Sequence, residues 1–134
     1  MVAFVVDNSI AVAWVYPKQA TEYTEKLLEL SGSGTLHTAF IWPAEFTNTA
    51  SVMVNRGLLS DDLGREMISM IKSFGFVVDR DPADPCKLYQ LSQEYRLSAY
   101  DASYLELAIR MEIPLATRDA ELANAAKKLN LYLS

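Results

Sequence analysis

Four acids in this sequence have the types and places to do chemistry: Asp7, Glu45, Asp101 and Asp119. Asp7 closes the apolar run Val2 to Val6, and Asp119 follows the run Pro114 to Ala116 by a Thr117-Arg118 step. Acids at the ends of buried strands stand where open parallel sheets bind ligands. They also stand where a helix N-cap is needed, so capping is the favoured reading of each taken alone. Glu45 and Asp101 fall in the first turns of expected helices, where the helix dipole favours an acid. Yet each is the lone charge of a locally apolar stretch, and no Lys or Arg lies within four residues of either. Burying such a carboxylate is costly unless something positive pairs with it.

A hard divalent cation would serve. Mg²⁺ and Mn²⁺ take oxygen ligands and keep several waters, and acids from different elements converging on one sheet edge provide that set. Gathered without a cation, the same acids would raise one another's pKa values. The chemistry such a site supports is phosphoryl displacement by a metal-activated water. Ser9 and Asn48 are expected to hydrogen-bond a ligand carboxylate or a phosphate: Ser9 lies two residues after Asp7, and Asn48 one turn after Glu45. Arg118 reads either as a phosphate contact or as a solvated loop charge.

The elements that must position these residues alternate. Val2 to Val6 reads as a strand buried on both faces, Ser9 to Val15 as a short helix broken at Pro17, and Lys18 to Leu30 as a helix. Leu36 to Ile41 reads as a second strand. A helix led by Pro43 runs to about Arg56, and Ser60 caps another, SDDLGREMISMIKSF. Phe76 to Val78 is a third strand. Asp84-Pro85 opens a helix to about Arg96, and Ser98 to Glu112 forms the next. Pro114 to Ala116 is a fourth strand, Asp119 to Leu129 a helix, and Leu131 to Leu133 a terminal strand. The expected fold is α/β: a mostly parallel central sheet of four to five strands with helices on both faces, as one domain over residues 1–134.

Composition narrows the chemistry. Of 134 residues, 51% are apolar and 22% charged, which makes a core-forming chain and not a disordered one. Its net charge of −5 excludes nucleic-acid binding by bulk charge, but not a local site. One Cys (Cys86) excludes an internal disulfide and a CxxC zinc cluster, and one His (His37) excludes multi-histidine zinc. No phosphate-cradling glycine loop occurs. The start, MVAFVVDNS, lacks a secretory pattern, which sets the expectation of a cytoplasmic protein.

Taken in order, Asp7-Asn8-Ser9, then Glu45 with Asn48, then Tyr100-Asp101-Ala102-Ser103-Tyr104, then Ala116-Thr117-Arg118-Asp119 resemble the PIN domain over residues 2–133. The resemblance is strongest to the small VapC-type toxins of toxin–antitoxin pairs. It implies that Asp7, Glu45, Asp101 and Asp119 form the acidic metal-binding quartet, with Ser9, Asn48 and Thr117 as polar companions. It implies Mg²⁺- or Mn²⁺-dependent endoribonuclease activity on structured RNA such as tRNA or rRNA. It also implies a homodimer and silencing by a cognate VapB-like antitoxin, through which alone operator DNA would be bound. Asn8 departs from the pattern, since many relatives carry Thr or another small residue there.

Met53, Met67 and Met70, with Leu63, Ile71 and Phe74, read first as core, and in this family as part of an antitoxin groove. Trp14 and Trp42 read as core rather than as stacking platforms. A phosphorelay receiver needs adjacent acids after strand one and a late Lys, whereas this chain has Asp7-Asn8 and no Lys between Lys87 and Lys127. A non-catalytic α/β binding protein, whose acids only cap helices, is the remaining rival.

Overall fold

The computed structural model describes residues 2–134. Four strands form one sheet: β1 (Val2–Val6), β2 (Gly34–Thr38), β3 (Val77–Val78) and β4 (Leu115–Ala116). They run in the order β3-β2-β1-β4, and every pairing is parallel. Phe4, Val5 and Val6 are consecutive and fully buried. Successive strand residues point to opposite faces, so helices cover both sides of β1, as its unbroken apolar run requires.

Seven α-helices connect and flank the strands: α1 (Asn8–Val15), α2 (Glu22–Ser31), α3 (Trp42–Asn55), α4 (Asp61–Lys72), α5 (Pro85–Tyr95), α6 (Ala99–Met111) and α7 (Ala120–Lys128). Their starts are written in the sequence. Asp7, Ser60, Asp84, Ser98 and Asp119 each accept a backbone N–H of the first turn as N-cap, and each such cap contributes about 1 kcal/mol. Trp14 stacks on Phe74 and Phe76 at centroid separations of 5.1 and 6.1 Å, and Trp42 meets Phe76 edge-on at 4.8 Å. Both tryptophans are buried there, in line with the core reading.

Three elements differ from expectation. The helix read from Lys18 begins at Glu22, because Pro17–Gln19 forms a separate 3₁₀ turn and Thr21 with Thr24 forms a reciprocal capping box. The second strand is Gly34–Thr38, not Leu36 to Ile41. Gly34 is admitted because a Cβ there would lie 2.6 Å from the Val2 carbonyl oxygen across the β1–β2 pair. The strand stops because the chain turns after Thr38, with the Trp42 N–H bonded to the Ala39 carbonyl. The terminal strand is reduced to one parallel bridge, Leu115 to Tyr132, flanked by the bonds Leu115 N–H to Leu131 O and Leu133 N–H to Leu115 O.

The strand order also locates the ligand crevice. The chain steps outward from β1 through β2 to β3 and then returns past them to place β4 on the other side of β1, so the order reverses between β1 and β4. Ligands of open α/β sheets bind outside the carboxyl ends of the strands at such a reversal. Asp7 follows β1 there, and Thr117 follows β4.

Candidate active site

Outside that reversal lies a cavity of about 260 Å³ whose walls include Asp7, Glu45, Asp101 and Asp119. Four separate segments supply these acids: the β1–α1 junction, the first turn of α3, the first turn of α6, and the N-cap of α7. No Lys or Arg is among the lining residues.

Asp7 is buried, and its oxygens are fixed from several directions. Ser9 Oγ and the Ile10 N–H donate to Oδ1 at 2.6 and 3.2 Å, and Thr117 Oγ1 donates to Oδ2 at 2.5 Å. Burial nevertheless pushes the Asp7 carboxyl up to about 7; the hydrogen bonds from Ser9, Thr117 and Ile10 oppose that rise, and the charge of Asp101 adds to it. Asp101 is also raised, first by burial and then by the charges of Asp119 and Glu45. These acids therefore sense one another in a cleft with no cationic wall, as like charges gathered in low dielectric must.

The remaining partners set directions. Thr117, fully buried behind Asp7, accepts the Asp119 N–H at 3.0 Å and so ties the strand-four acid to the strand-one acid. Asp119 Oδ2 accepts the Leu122 N–H at 2.8 Å. The Tyr104 hydroxyl donates to Glu45 Oε1 at 2.5 Å. Burial, followed by the charge of Glu45, pushes the Tyr104 phenol up, so it remains a donor. Arg118 is exposed; its N–H donates to Ser9 Oγ, and its guanidinium reaches Oε1 of Gln19, a residue of the cavity wall.

Asn48 does not join this group. It is exposed on α3 and outside the cavity wall, while Thr49 lines the wall in its place. Thr49 Oγ1 donates to the Glu45 carbonyl and accepts from Asn8 Nδ2, both at 3.0 Å. Positions three and four after Glu45 flank it on either side of the helix, and the proximity of Asn8 on α1 selects the second. Asn8, Gln19, Thr49 and Tyr104 are the polar lining residues to which the sequence reading assigns no role in the site. The i+4 spacing of Thr49 from Glu45, and the i+3 spacing of Tyr104 from Asp101, were the available signals.

The donor set suits a hard cation: carboxylate oxygens on several sides, neutral hydroxyls behind them, and no soft or cationic group in the wall. Among the described residues, though, no group of three or more His, Cys, Asp or Glu is close enough to hold an ion by itself. Water would have to complete the shell, as Mg²⁺ sites ordinarily permit.

A model of the PIN domain family matches residues 4–128. The chain belongs to the PIN domain family. The sheet order therefore replaces the receiver-like alternative, whose order is 2-1-3-4-5. Among solved structures, PAE2754 of Pyrobaculum aerophilum is similar at a TM-score of 0.68 and 23% identity, covering 92% of this chain and 79% of that one. VapBC2 of Rickettsia felis, crystallised with a DNA fragment from its promoter, is similar at 0.68 and 15% identity, covering 98% and 97%. At such identities the likeness is one of fold. No curated protein matches. No helix among the described residues of this PIN domain is long and apolar enough to cross a membrane.

Proposed function

We propose that this PIN domain is a divalent-cation-dependent endoribonuclease, and the toxin of a toxin–antitoxin pair. One observation carries the catalytic part. Four acids from distant segments share one cavity with no cationic side chain in its wall, and at least two of them have raised pKa values. PIN-domain nucleases generally use divalent metal ions, which agrees with that charge pattern.

In this reading Asp7, Glu45, Asp101 and Asp119 hold Mg²⁺ or Mn²⁺, directly or through water. The bound ion supplies charge neutralisation and activation of the attacking water. Ser9 and Thr117 hold the Asp7 carboxylate in orientation through both of its oxygens. Thr117 also fixes the start of α7, keeping Asp119 in register with Asp7. Arg118, exposed at the rim, meets the RNA phosphate. Attack on phosphorus with departure of the 3′ oxygen leaves 5′-phosphate and 3′-hydroxyl ends.

The toxin part rests on the VapC-type resemblance and on likeness to the Rickettsia felis VapBC2 structure. It carries with it a structured RNA substrate such as tRNA or rRNA, a homodimer, a cytoplasmic setting, a single domain over residues 1–134 and a VapB-like antitoxin. The exposed Leu63 and Met70 line an apolar cavity of about 320 Å³ between α4 and the end of α1, which suits an antitoxin segment.

The test is cleavage of total RNA with end mapping. Wild type with Mg²⁺ or Mn²⁺ is expected to cut, while wild type with chelator and Asp101→Asn with cation are expected not to. Equal products from all three reject the proposal, and no product from wild type leaves the non-catalytic binding protein in its place.

A further inference from the structure

Tyr104 stands one turn after Asp101 on α6, so the two side chains share a face of the helix. Tyr104 is 1% exposed and belongs to the hydrophobic core. A phenol ring has only two side-chain torsions, and packing around the ring fixes where its hydroxyl stands. That hydroxyl donates to Glu45 Oε1 at 2.5 Å. At its other end Glu45 is held too, since its carbonyl accepts from Thr49, whose hydroxyl accepts from Asn8. The Asn8 amide orientation follows from chemistry: the single Thr49 proton is committed to the Glu45 carbonyl, so Asn8 must present its N–H₂. Among the described residues no protein donor meets Glu45 Oε2. The carboxylate therefore has one oxygen tethered to the phenol and one with no protein donor.

We propose that Tyr104 is a positioning residue that holds Glu45 by one oxygen in an orientation that disfavours chelation, and thereby sets which divalent cation the cleft prefers. This rests on the divalent-cation reading given above. Ca²⁺ takes six to eight oxygens, commonly with a carboxylate chelating through both of its own; Mg²⁺ requires a tight octahedron and draws on one or two carboxylates plus waters. Mn²⁺ accepts the same oxygen-rich octahedral surroundings. A Glu45 whose Oε1 is tethered to a packed phenol cannot turn freely to chelate, which disfavours the bidentate ligation Ca²⁺ commonly uses more than the single-oxygen ligation that suits the small octahedral ions.

The experiment titrates Mn²⁺, Mg²⁺ and Ca²⁺ separately into the metal-free full chain by calorimetry, with the cation-induced melting shift as a second readout. Neither needs RNA cleavage. Wild type is expected to bind Mn²⁺ more tightly than Ca²⁺. Tyr104→Phe removes only the hydroxyl, and its Mn²⁺-over-Ca²⁺ preference is expected to fall by about tenfold, the lower end of what a supporting hydrogen bond contributes to metal affinity. Glu45→Asp, which draws the carboxylate back from the phenol, is expected to reduce the same ratio and reads it even if Tyr104→Phe does not fold. Wild type that binds Mn²⁺ with the preference kept in both variants overturns this inference alone. Wild type that binds none of the three ions overturns the divalent-cation reading and this inference with it.

Discussion

Replacing Asp7 by Asn gives a stability effect whose dependence on pH can be worked out in advance. The carboxyl has an ordinary pKa of 3.8 and sits at about 7 in the fold. The folded protein therefore binds this proton more tightly than the unfolded chain does. Its contribution to stability is full below 3.8 and is lost as pH rises through about 7. The whole shift is worth about 4 kcal/mol, and about 3 kcal/mol of it is recovered between pH 8 and pH 5. Asn cannot ionise, so Asp7→Asn lacks this pH dependence. It also keeps the cap on α1, because Asn serves as well as Asp at that position. The altered hydrogen bonds to Ser9 and Thr117 shift the variant by an amount that does not change with pH. Relative to wild type, the variant is therefore expected to lose about 3 kcal/mol of its standing between pH 8 and pH 5. At this chain length that is roughly 10 °C of melting temperature. Chemical denaturation of both proteins in chelator at the two pH values measures it. A difference between them that stays constant within about 1 kcal/mol would show that Asp7 is not a strained buried carboxylate. It would also remove the physical ground for a cation in the cleft. At pH 8, Mn²⁺ at 100 times its dissociation constant is expected to raise wild-type stability by about 2.7 kcal/mol and to move Asp7→Asn far less.

Thr117→Ala deletes a buried hydroxyl that bonds both Asp7 and the Asp119 N–H. It is expected to cost about 1–3 kcal/mol by denaturant melt and about 10–100-fold in RNA cleavage rate. Arg118→Ala removes an exposed side chain; melting should be unchanged, while KM for RNA rises and the salt dependence of binding flattens by about one phosphate contact. Unaltered KM and salt slope would make Arg118 a plain surface charge. Gly34→Ala places a methyl against the Val2 carbonyl and should destabilise by about 1–3 kcal/mol through strain. Cleavage per folded molecule should be retained, since the collision lies at the start of β1 and away from the cavity.

Much of this architecture is legible in the residues because local signals agree. The Val2–Val6 run demands cover on both faces and receives it. Pro43, Ser60, Asp84 and Ser98 mark helix starts close to where they form. The four acids stand out in the residues for two reasons: Asp7 and Asp119 follow apolar strand-like runs, while Glu45 and Asp101 are lone charges in apolar stretches. What escaped depends on partners distant in sequence. Whether Asn48 or Thr49 faces the cleft turns on where α1 carries Asn8, which no property of α3 states. Tyr104 reads as one more member of an apolar helical stripe, and its ring is indeed buried. Only the approach of Glu45, 59 positions earlier, gives its hydroxyl a task. The second helix starts later than Lys18 and Gln19, good helix formers, suggest, because Pro17 and the Thr21–Thr24 capping box decide the local outcome. The final residues look strand-like, but they find just one ladder position beside β4, which is itself two residues long.

The aromatic cluster gathers the chain's two tryptophans around Phe76. Their shared emission is therefore an optical gauge of a single corner of the molecule, where α1, α3 and the segment after α4 meet. Loss of that corner on denaturation should change colour and intensity together. Neither indole lines the acidic cavity, so a titration followed by intrinsic fluorescence would watch the wrong place, and a reporter dye or heat signal is the better witness to ion uptake.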